Sequence, residues 1–185
     1  EEIIELVSKL KSKKKYGIVW DEERVPEKVV VDCQQRLPVL TEVTEKSITT
    51  KKNEPTHILI EGDNYHSLSV LSYTHKNKID AIYIDPPYNT GSKDWKYNND
   101  YVEKLDSWRH SKWMQFMYNR LRLAKDLLTD DGALICAIDH NEQENIGILL
   151  RELFVDKEIT CITIVHNPRG IQGDNFSYTH ENAYF

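Results

Sequence analysis

The pattern that most constrains the fold of this chain begins at His57, where short apolar runs start to alternate with longer amphipathic segments. The apolar runs predict buried strands at residues 57–60, 79–84, 133–138 and 159–165. The spacing of apolar residues between them predicts helices over about 64–75, over about 113–128 and from Asn141 onward. This repetition is typical of a parallel sheet with right-handed crossovers, so the predicted fold class is α/β.

Local signals place the ends of two of these helices. Gly132 is expected to close the second helix as a C-terminal glycine cap. Asn141 and Glu144 have the spacing of a capping box at the start of the third. The apolar face of that third helix is predicted to consist of Ile146, Leu149, Leu150, Leu153 and Phe154.

The first 56 residues follow a different pattern. Apolar positions predict a short helix over 3–12, and the following stretch to Thr56 is polar and interrupted by three prolines. Residues 29–31, three valines, predict one short strand. We therefore expect an N-terminal extension over 1–56 and a single α/β domain over 57–185.

Composition excludes several classes of protein. No apolar run approaches the ~20 residues that a membrane helix needs, and the sequence does not open like a secretion signal. The 3 cysteines are scattered and lack metal-ligand spacing, so neither a disulfide framework nor a metal site is expected. Cys136 and Cys161 lie in apolar runs and are expected in the core. These features indicate a cytoplasmic protein.

The second strand runs directly into Asp85-Pro86-Pro87-Tyr88, hereafter the 85–88 turn. Two prolines make the turn stiff. The Asp85 carboxylate and the Pro86 carbonyl could accept both hydrogens of an exocyclic amine. Tyr88 offers a ring on which a base could stack, typically worth about 1–3 kcal/mol. These groups suit a flat, amino-bearing ring such as a flipped-out nucleobase, although the sequence alone also allows a turn that merely ends a strand.

A second candidate site follows the first predicted strand, at Gly62-Asp63-Asn64. Ligands bind beyond the carboxyl ends of strands in open α/β sheets, so Asp63 is expected near the 85–88 turn. It could cap the following helix, contact a ligand, or do both. The polar loop from Asn89 to about Ser107 lies at the same edge and is expected to be mobile without ligand.

Several segments resemble amino-directed DNA methyltransferases. The resemblance rests on residues 60–64, on 82–91, on 110–128 with His110, Trp113 and Arg120, and on 138–142. Together they are similar to the β-group adenine-N6 enzymes, and most closely to the modification subunits of type III restriction systems. The resemblance implies a Rossmann-like, S-adenosylmethionine-dependent methyltransferase sheet.

The resemblance also implies roles for individual residues. Asp85 and the Pro86 carbonyl would hold the adenine N6 amine, Pro87 would shape the turn, and Tyr88 would stack on the flipped ring. Asp63 would contact S-adenosylmethionine. The implied partners are double-stranded DNA with a flipped adenine and a restriction (nuclease/helicase) subunit, with a homodimer expected for the full-length protein.

Two departures from the family pattern are evident. His140 stands where a second acidic residue is more common, and the aromatic-x-Gly-x-Gly loop for S-adenosylmethionine is absent. In the β-group that loop lies late in the chain, so this sequence is expected to be the N-terminal part of a longer protein. Alone it is expected neither to bind the cofactor tightly nor to methylate DNA.

Other activities remain open from the sequence. Cytosine N4, RNA or a protein glutamine are alternative substrates, although an Asp before Pro-Pro favours adenine within the resemblance. The alternative from a different class is a catalytically silent scaffold module for a restriction subunit.

Overall fold

The computed structural model describes residues 17–18, 20, 27–48, 54–90, 107–165, 168–172, 177–178 and 180–185. The helices are α1 (Lys28–Gln35), α2 (Asn64–Thr74), α3 (Arg109–Leu127) and α4 (Gln143–Leu153), with a 3₁₀ turn at Thr44–Lys46. The strands are β1 (Ile79–Ile84), β2 (Leu128–Ile138), β3 (Cys161–Val165), β4 (Ile171–Gln172), β5 (Ser177–Tyr178) and β6 (His180–Tyr184). The helix predicted over 3–12 lies outside the described residues.

The main sheet has the strand order β1-β2-β6-β3, and β4 and β5 form a separate two-stranded ribbon. β1 and β2 are parallel, as predicted. β6 is antiparallel to both of its neighbours, β2 and β3. The expectation of an all-parallel sheet is therefore wrong. β6 needs no long crossover because an antiparallel strand can return by a short connection.

The core lies between the sheet and helices α3 and α4. The buried residues of α3 recur at helical spacing along one face, and they include Trp113, Phe116, Met117 and Leu121. They pack with Cys136 and Ile138 of β2, with Tyr184 of β6 and with the buried face of α4. That α4 face was predicted correctly: Ile146, Leu149, Leu150 and Leu153 are buried, and Phe154 packs against the cluster half-buried.

The strand predicted at residues 29–31 is wrong, because these valines lie in α1. β-branched residues favour strands only where a neighbouring strand can pair with them. A helix instead satisfies its backbone groups internally, and α1 packs on α2 with Val30 buried. The proposed boundary between residues 56 and 57 stays a prediction.

The first predicted strand, residues 57–60, is not a strand. Ile58 is 71% exposed and Leu59 is 95% exposed, and the segment has no strand partner in the part of the chain that the structure describes. An apolar run becomes a strand only by pairing its backbone. The prediction of a buried strand is wrong for β1 also, because Ala81 and Tyr83, which share one face of this strand, are exposed, Tyr83 by 67%.

Both predicted helix-end signals are wrong. α3 ends at Leu127, and Leu128 continues directly into β2 with extended φ and ψ of −67° and 142°. Gly132 lies within β2, where a Cβ would come 3.0 Å from the Ile79 carbonyl oxygen, so this glycine permits a close strand approach. α4 begins at Gln143 without a side-chain cap, because the Asn141 amide donates to Asp139 Oδ2 at 2.6 Å.

Cysteine reactivity gives a first test of this packing. Cys136 is buried as predicted, whereas Cys161 is exposed on β3, which corrects its assignment to the core. Burial, with a smaller contribution from the negative charge of Asp85, raises the pKa of Cys136 to about 12. Because the thiolate is the reactive form, iodoacetamide at pH 8 should alkylate Cys161 and leave Cys136 unmodified. Peptide mass spectrometry measures both sites, and equal alkylation of the two in native protein would contradict this packing.

None of the described helices combines the length and the apolar character needed to cross a bilayer.

Candidate active site

The 85–88 turn leaves β1 at its carboxyl end. β2 is parallel to β1, so its own carboxyl end, followed by Asp139 and His140, lies at the same edge of the sheet. β6 runs the other way and brings its first residues, His180 and Glu181, to this edge as well. The candidate site therefore gathers polar residues from three neighbouring strands.

Asp85 and Tyr88 are joined directly. The Tyr88 hydroxyl donates a hydrogen bond to Asp85 Oδ1 at 2.6 Å. Tyr88 packs half-buried against the core, while Asp85 is exposed. Among the described residues the Pro86 carbonyl accepts no hydrogen bond. Among the described residues, Asp85 Oδ2 and the Pro86 carbonyl are thus two acceptors that receive no hydrogen bond.

The Tyr88 phenol is held in its neutral form. Burial raises its pKa most, and the hydrogen bond to Asp85 and the negative charges of Asp85 and Asp139 raise it further. A phenol that keeps its proton can donate only one hydrogen bond. In this arrangement that bond goes to Asp85, so the hydroxyl fixes the orientation of the carboxylate.

Trp113 holds the 85–88 turn from the core side. Its side chain is fully buried in the core, and its Nε1 donates to the Pro87 carbonyl at 2.6 Å. The sequence pattern identified Trp113 as a helix core residue but did not indicate a contact with the turn. The indole therefore couples the position of the 85–88 turn to the packing of α3.

Asn89, the residue after the turn, is held by a buried acid. It has a left-handed φ of 56° and is itself buried. Its Nδ2 donates to Glu142 Oε1, and Glu142 is completely buried. Sequence reasoning assigned no role to Glu142, although Asn141-Glu142 was among the matching segments. The loop predicted to be mobile lies mostly outside the described residues, from 91 to 106.

Asp63 is a helix cap. Its Oδ1 accepts a hydrogen bond from the Tyr65 backbone N–H at 2.7 Å. Its Oδ2 lies 3.9 Å from the Arg120 guanidinium, which also bonds Asn64 Oδ1 at 2.6 Å and Glu27 Oε2 at 2.7 Å. Of the two roles considered, the cap is confirmed and the cofactor contact stays a prediction.

The surroundings of Asp63 leave room for a ligand. Gly62 has a positive φ of 154°, and no described atom lies within 4 Å of the position that a Cβ would occupy. A ligand could approach the backbone closely here. The segment 57–60 is not a strand, so the expected placement of Asp63 on a strand next to β1 is wrong. Asp63 is instead positioned by α2, which packs on α3.

His140 and Glu181 form the other polar pair at this edge. His140 Nδ1 lies 3.8 Å from Glu181 Oε1. Glu181 Oε2 is buried and has no hydrogen-bond partner among the described residues. The antiparallel direction of β6 is what brings Glu181 next to His140.

Comparison with known proteins places these features in a family context. The family model described as DNA methylase matches residues 79–185, which include the 85–88 turn, β1, β2, β3 and β6. This span covers more than half of the chain.

Individual relatives point in the same direction. The probable type III restriction-modification enzyme HindVI Mod subunit of Haemophilus influenzae is 38% identical over 120 residues, which are 64% of this chain and 15% of that protein. The EcoPI Mod subunit of Escherichia phage P1 is 30% identical over 199 residues, covering 94% of this chain and 30% of that protein. The type II methyltransferase M.KpnI of Klebsiella pneumoniae is 34% identical over 123 residues, covering 65% and 30%. The chain thus spans at most 30% of the length of these relatives.

Proposed function

Because this chain belongs to the DNA methylase family, we propose that it carries the base-binding part of a DNA adenine-N6 methyltransferase in a restriction-modification system. The observation that carries the proposal is the 85–88 turn at the carboxyl end of β1. It combines an exposed carboxylate, a carbonyl that accepts no hydrogen bond among the described residues, and a tyrosine ring. The Mod subunits among the relatives support the restriction-modification context.

The chemistry required of the turn is mainly positioning. The exocyclic nitrogen of adenine is a poor nucleophile because its lone pair is delocalised into the ring. Acceptors on both N–H bonds draw this nitrogen toward a tetrahedral form and orient its lone pair. Asp85 Oδ2 and the Pro86 carbonyl supply these two acceptors, and orientation with electrostatic stabilisation accounts for the rate. Base flipping brings the adenine out of the duplex to reach them.

S-Adenosylmethionine is the proposed methyl donor, and when bound it supplies a methyl group on a positively charged sulfur. Asp63 is the proposed contact on this chain. The open space at Gly62 supports that placement. The Arg120 guanidinium donates hydrogen bonds to Glu27 and to Asn64, the first residue of α2, and so holds the N-terminus of α2 in position.

The described sheet supports a Rossmann-like methyltransferase fold. Its parallel strands β1 and β2 are connected by α3, and β6 runs antiparallel between β2 and β3. The proposal further includes a homodimer for the full-length protein, a restriction partner subunit and a cytoplasmic location with the DNA substrate. The similarity to Mod subunits of restriction-modification enzymes supports the DNA substrate and the partner subunit.

Methyl transfer to DNA tests the proposed function. Full-length protein would be incubated with S-adenosylmethionine carrying an isotopically labelled methyl group and with unmodified bacterial DNA. Nucleoside mass spectrometry should then show labelled N6-methyladenine. Labelled N4-methylcytosine would overturn the choice of base. No labelled nucleoside would overturn the activity and favour the scaffold alternative.

The Tyr88 ring and hydroxyl can be separated by substitution. Tyr88→Ala should raise KM for DNA by about 10- to 100-fold, because base stacking typically contributes about 1–3 kcal/mol. Tyr88→Phe should keep KM for DNA close to the wild-type value, since it keeps the ring on which the base stacks. Steady-state kinetics measures both variants. Equal KM values for the two would contradict the stacking role.

A further inference from the structure

Glu142 is a completely buried carboxylate that receives hydrogen bonds from three separate parts of the chain. Asn89 Nδ2 and His110 Nδ1 donate to Oε1, the latter at 2.7 Å. Asn145 Nδ2 donates to Oε2 at 2.6 Å. Asn89 directly follows the 85–88 turn, His110 lies at the start of α3, and Asn145 lies at the start of α4.

The histidine in this network has a defined tautomer. Arg109 Nε donates to His110 Nε2 at 3.1 Å, so this ring nitrogen must offer a lone pair. The hydrogen of the neutral ring then lies on Nδ1 and points to Glu142. Asn89 and His110 therefore both need an acceptor at the position of Oε1, which an apolar side chain cannot supply.

Asn89 transmits this constraint to the 85–88 turn. It follows Tyr88 directly, adopts a left-handed φ of 56°, and also donates to the Arg109 carbonyl at 3.4 Å. Trp113 holds Pro87 on one side of Tyr88, and Glu142 holds Asn89 on the other. The backbone of Tyr88 is thus fixed from both directions.

From this geometry we infer that Glu142 is a positioning residue for the amine-binding turn. It acts through Asn89 to fix the position of the Tyr88 ring. The Tyr88 hydroxyl in turn orients the Asp85 carboxylate. The inference rests on the proposed methyltransferase function. A buried carboxylate is costly, and an apolar residue of similar size would often stabilise a core at least as well. The acid at this place is therefore explained by the site that it supports.

Glu142→Leu in the full-length protein tests the role. Leucine is similar in size but has no acceptor, so Asn89 and His110 would both lose theirs. A displacement of about 1 Å at a reacting group can lower a rate by about 100-fold. We expect kcat for DNA methylation to fall by about 10- to 100-fold while the Kd for S-adenosylmethionine, measured by calorimetry, stays within about twofold of wild type. The matched control is Glu144→Leu, which replaces an exposed carboxylate in the first turn of α4 and should leave kcat unchanged.

Asn89→Gly provides an independent test if the buried substitution impairs folding. Glycine adopts a left-handed φ without strain, so this variant removes the contact and keeps the backbone. It should lower kcat to a similar extent, and combining it with Glu142→Leu should produce little further loss. An active wild type together with an Asn89→Gly variant of unchanged kcat would overturn the inference alone. A wild type without methyl transfer would overturn the proposed function and the inference with it.

Discussion

Replacing Asp85 with alanine should lower the rate of methyl transfer to adenine-containing duplex DNA by about 100- to 1,000-fold, the usual loss when one preorganised electrostatic group is removed. The variant lacks the carboxylate acceptor for the amine and the oxygen that holds the Tyr88 hydroxyl. Because Asp85 is exposed, the fold should remain intact. Single-turnover kinetics with full-length protein measures the chemical step directly.

Asp80→Ala is the matched control for this substitution. Asp80 is an exposed carboxylate on β1, the strand that leads into the 85–88 turn. Its removal should leave the rate within about twofold of wild type and so exclude a general effect of charge. Full activity of Asp85→Ala, with a circular dichroism spectrum like that of wild type, would remove Asp85 from its assigned role.

Trp113→Ala should reduce the free energy of unfolding by about 3–5 kcal/mol, the range for truncating a buried large aromatic residue. Trp113 is fully buried between α3 and the sheet, and its loss leaves a cavity in the main cluster. It also removes the donor for the Pro87 carbonyl. Urea denaturation monitored by circular dichroism gives the change in the free energy of unfolding.

Two further variants test whether the destabilisation depends on burial of the tryptophan and which part of the effect comes from its hydrogen bond to Pro87. Trp108→Ala replaces a tryptophan that is 63% exposed just before α3, and it should lose about 1 kcal/mol or less. Trp113→Phe keeps much of the apolar contact but cannot donate to Pro87. Expressed as free energies, its loss in kcat should therefore exceed its loss in the free energy of unfolding. Equal destabilisation by Trp108→Ala and Trp113→Ala would contradict the assigned core.

Sequence patterns predicted the parts of the fold that depend on neighbouring residues. The periodicity of α3 and α4 is set within a few turns of one helix, and α2 and β1 are similarly local. The direction of β6 was not predictable in this way, because the chosen partner of a strand depends on distant segments. Residues 57–60 show the converse: the apolar run is present, but no described strand pairs with it.

In the candidate site, too, the local features were predicted and the contacts between distant residues were not. The 85–88 turn was recognised because its stiffness and its acceptors are contained in four consecutive residues. The supports of the turn were missed, since Trp113 is 26 positions from Pro87 and Glu142 is 53 positions from Asn89. Neither contact leaves a signal in a single sequence. Asp63 was correctly considered as a cap, whereas the capping signal at Asn141 failed because the Asn141 amide bonds Asp139 instead.

The position of β6 also has a consequence for the order of assembly during synthesis. β3 leaves the ribosome before β6, yet in the described sheet it pairs with β6 and is separated from β2 by that strand. Its backbone therefore lacks a native ladder until residues 180–184 have emerged. Loop closure must precede these non-local pairings and slows them. The nascent chain thus passes through an interval in which β1, β2 and their helices can fold while β3 is open to incorrect pairing.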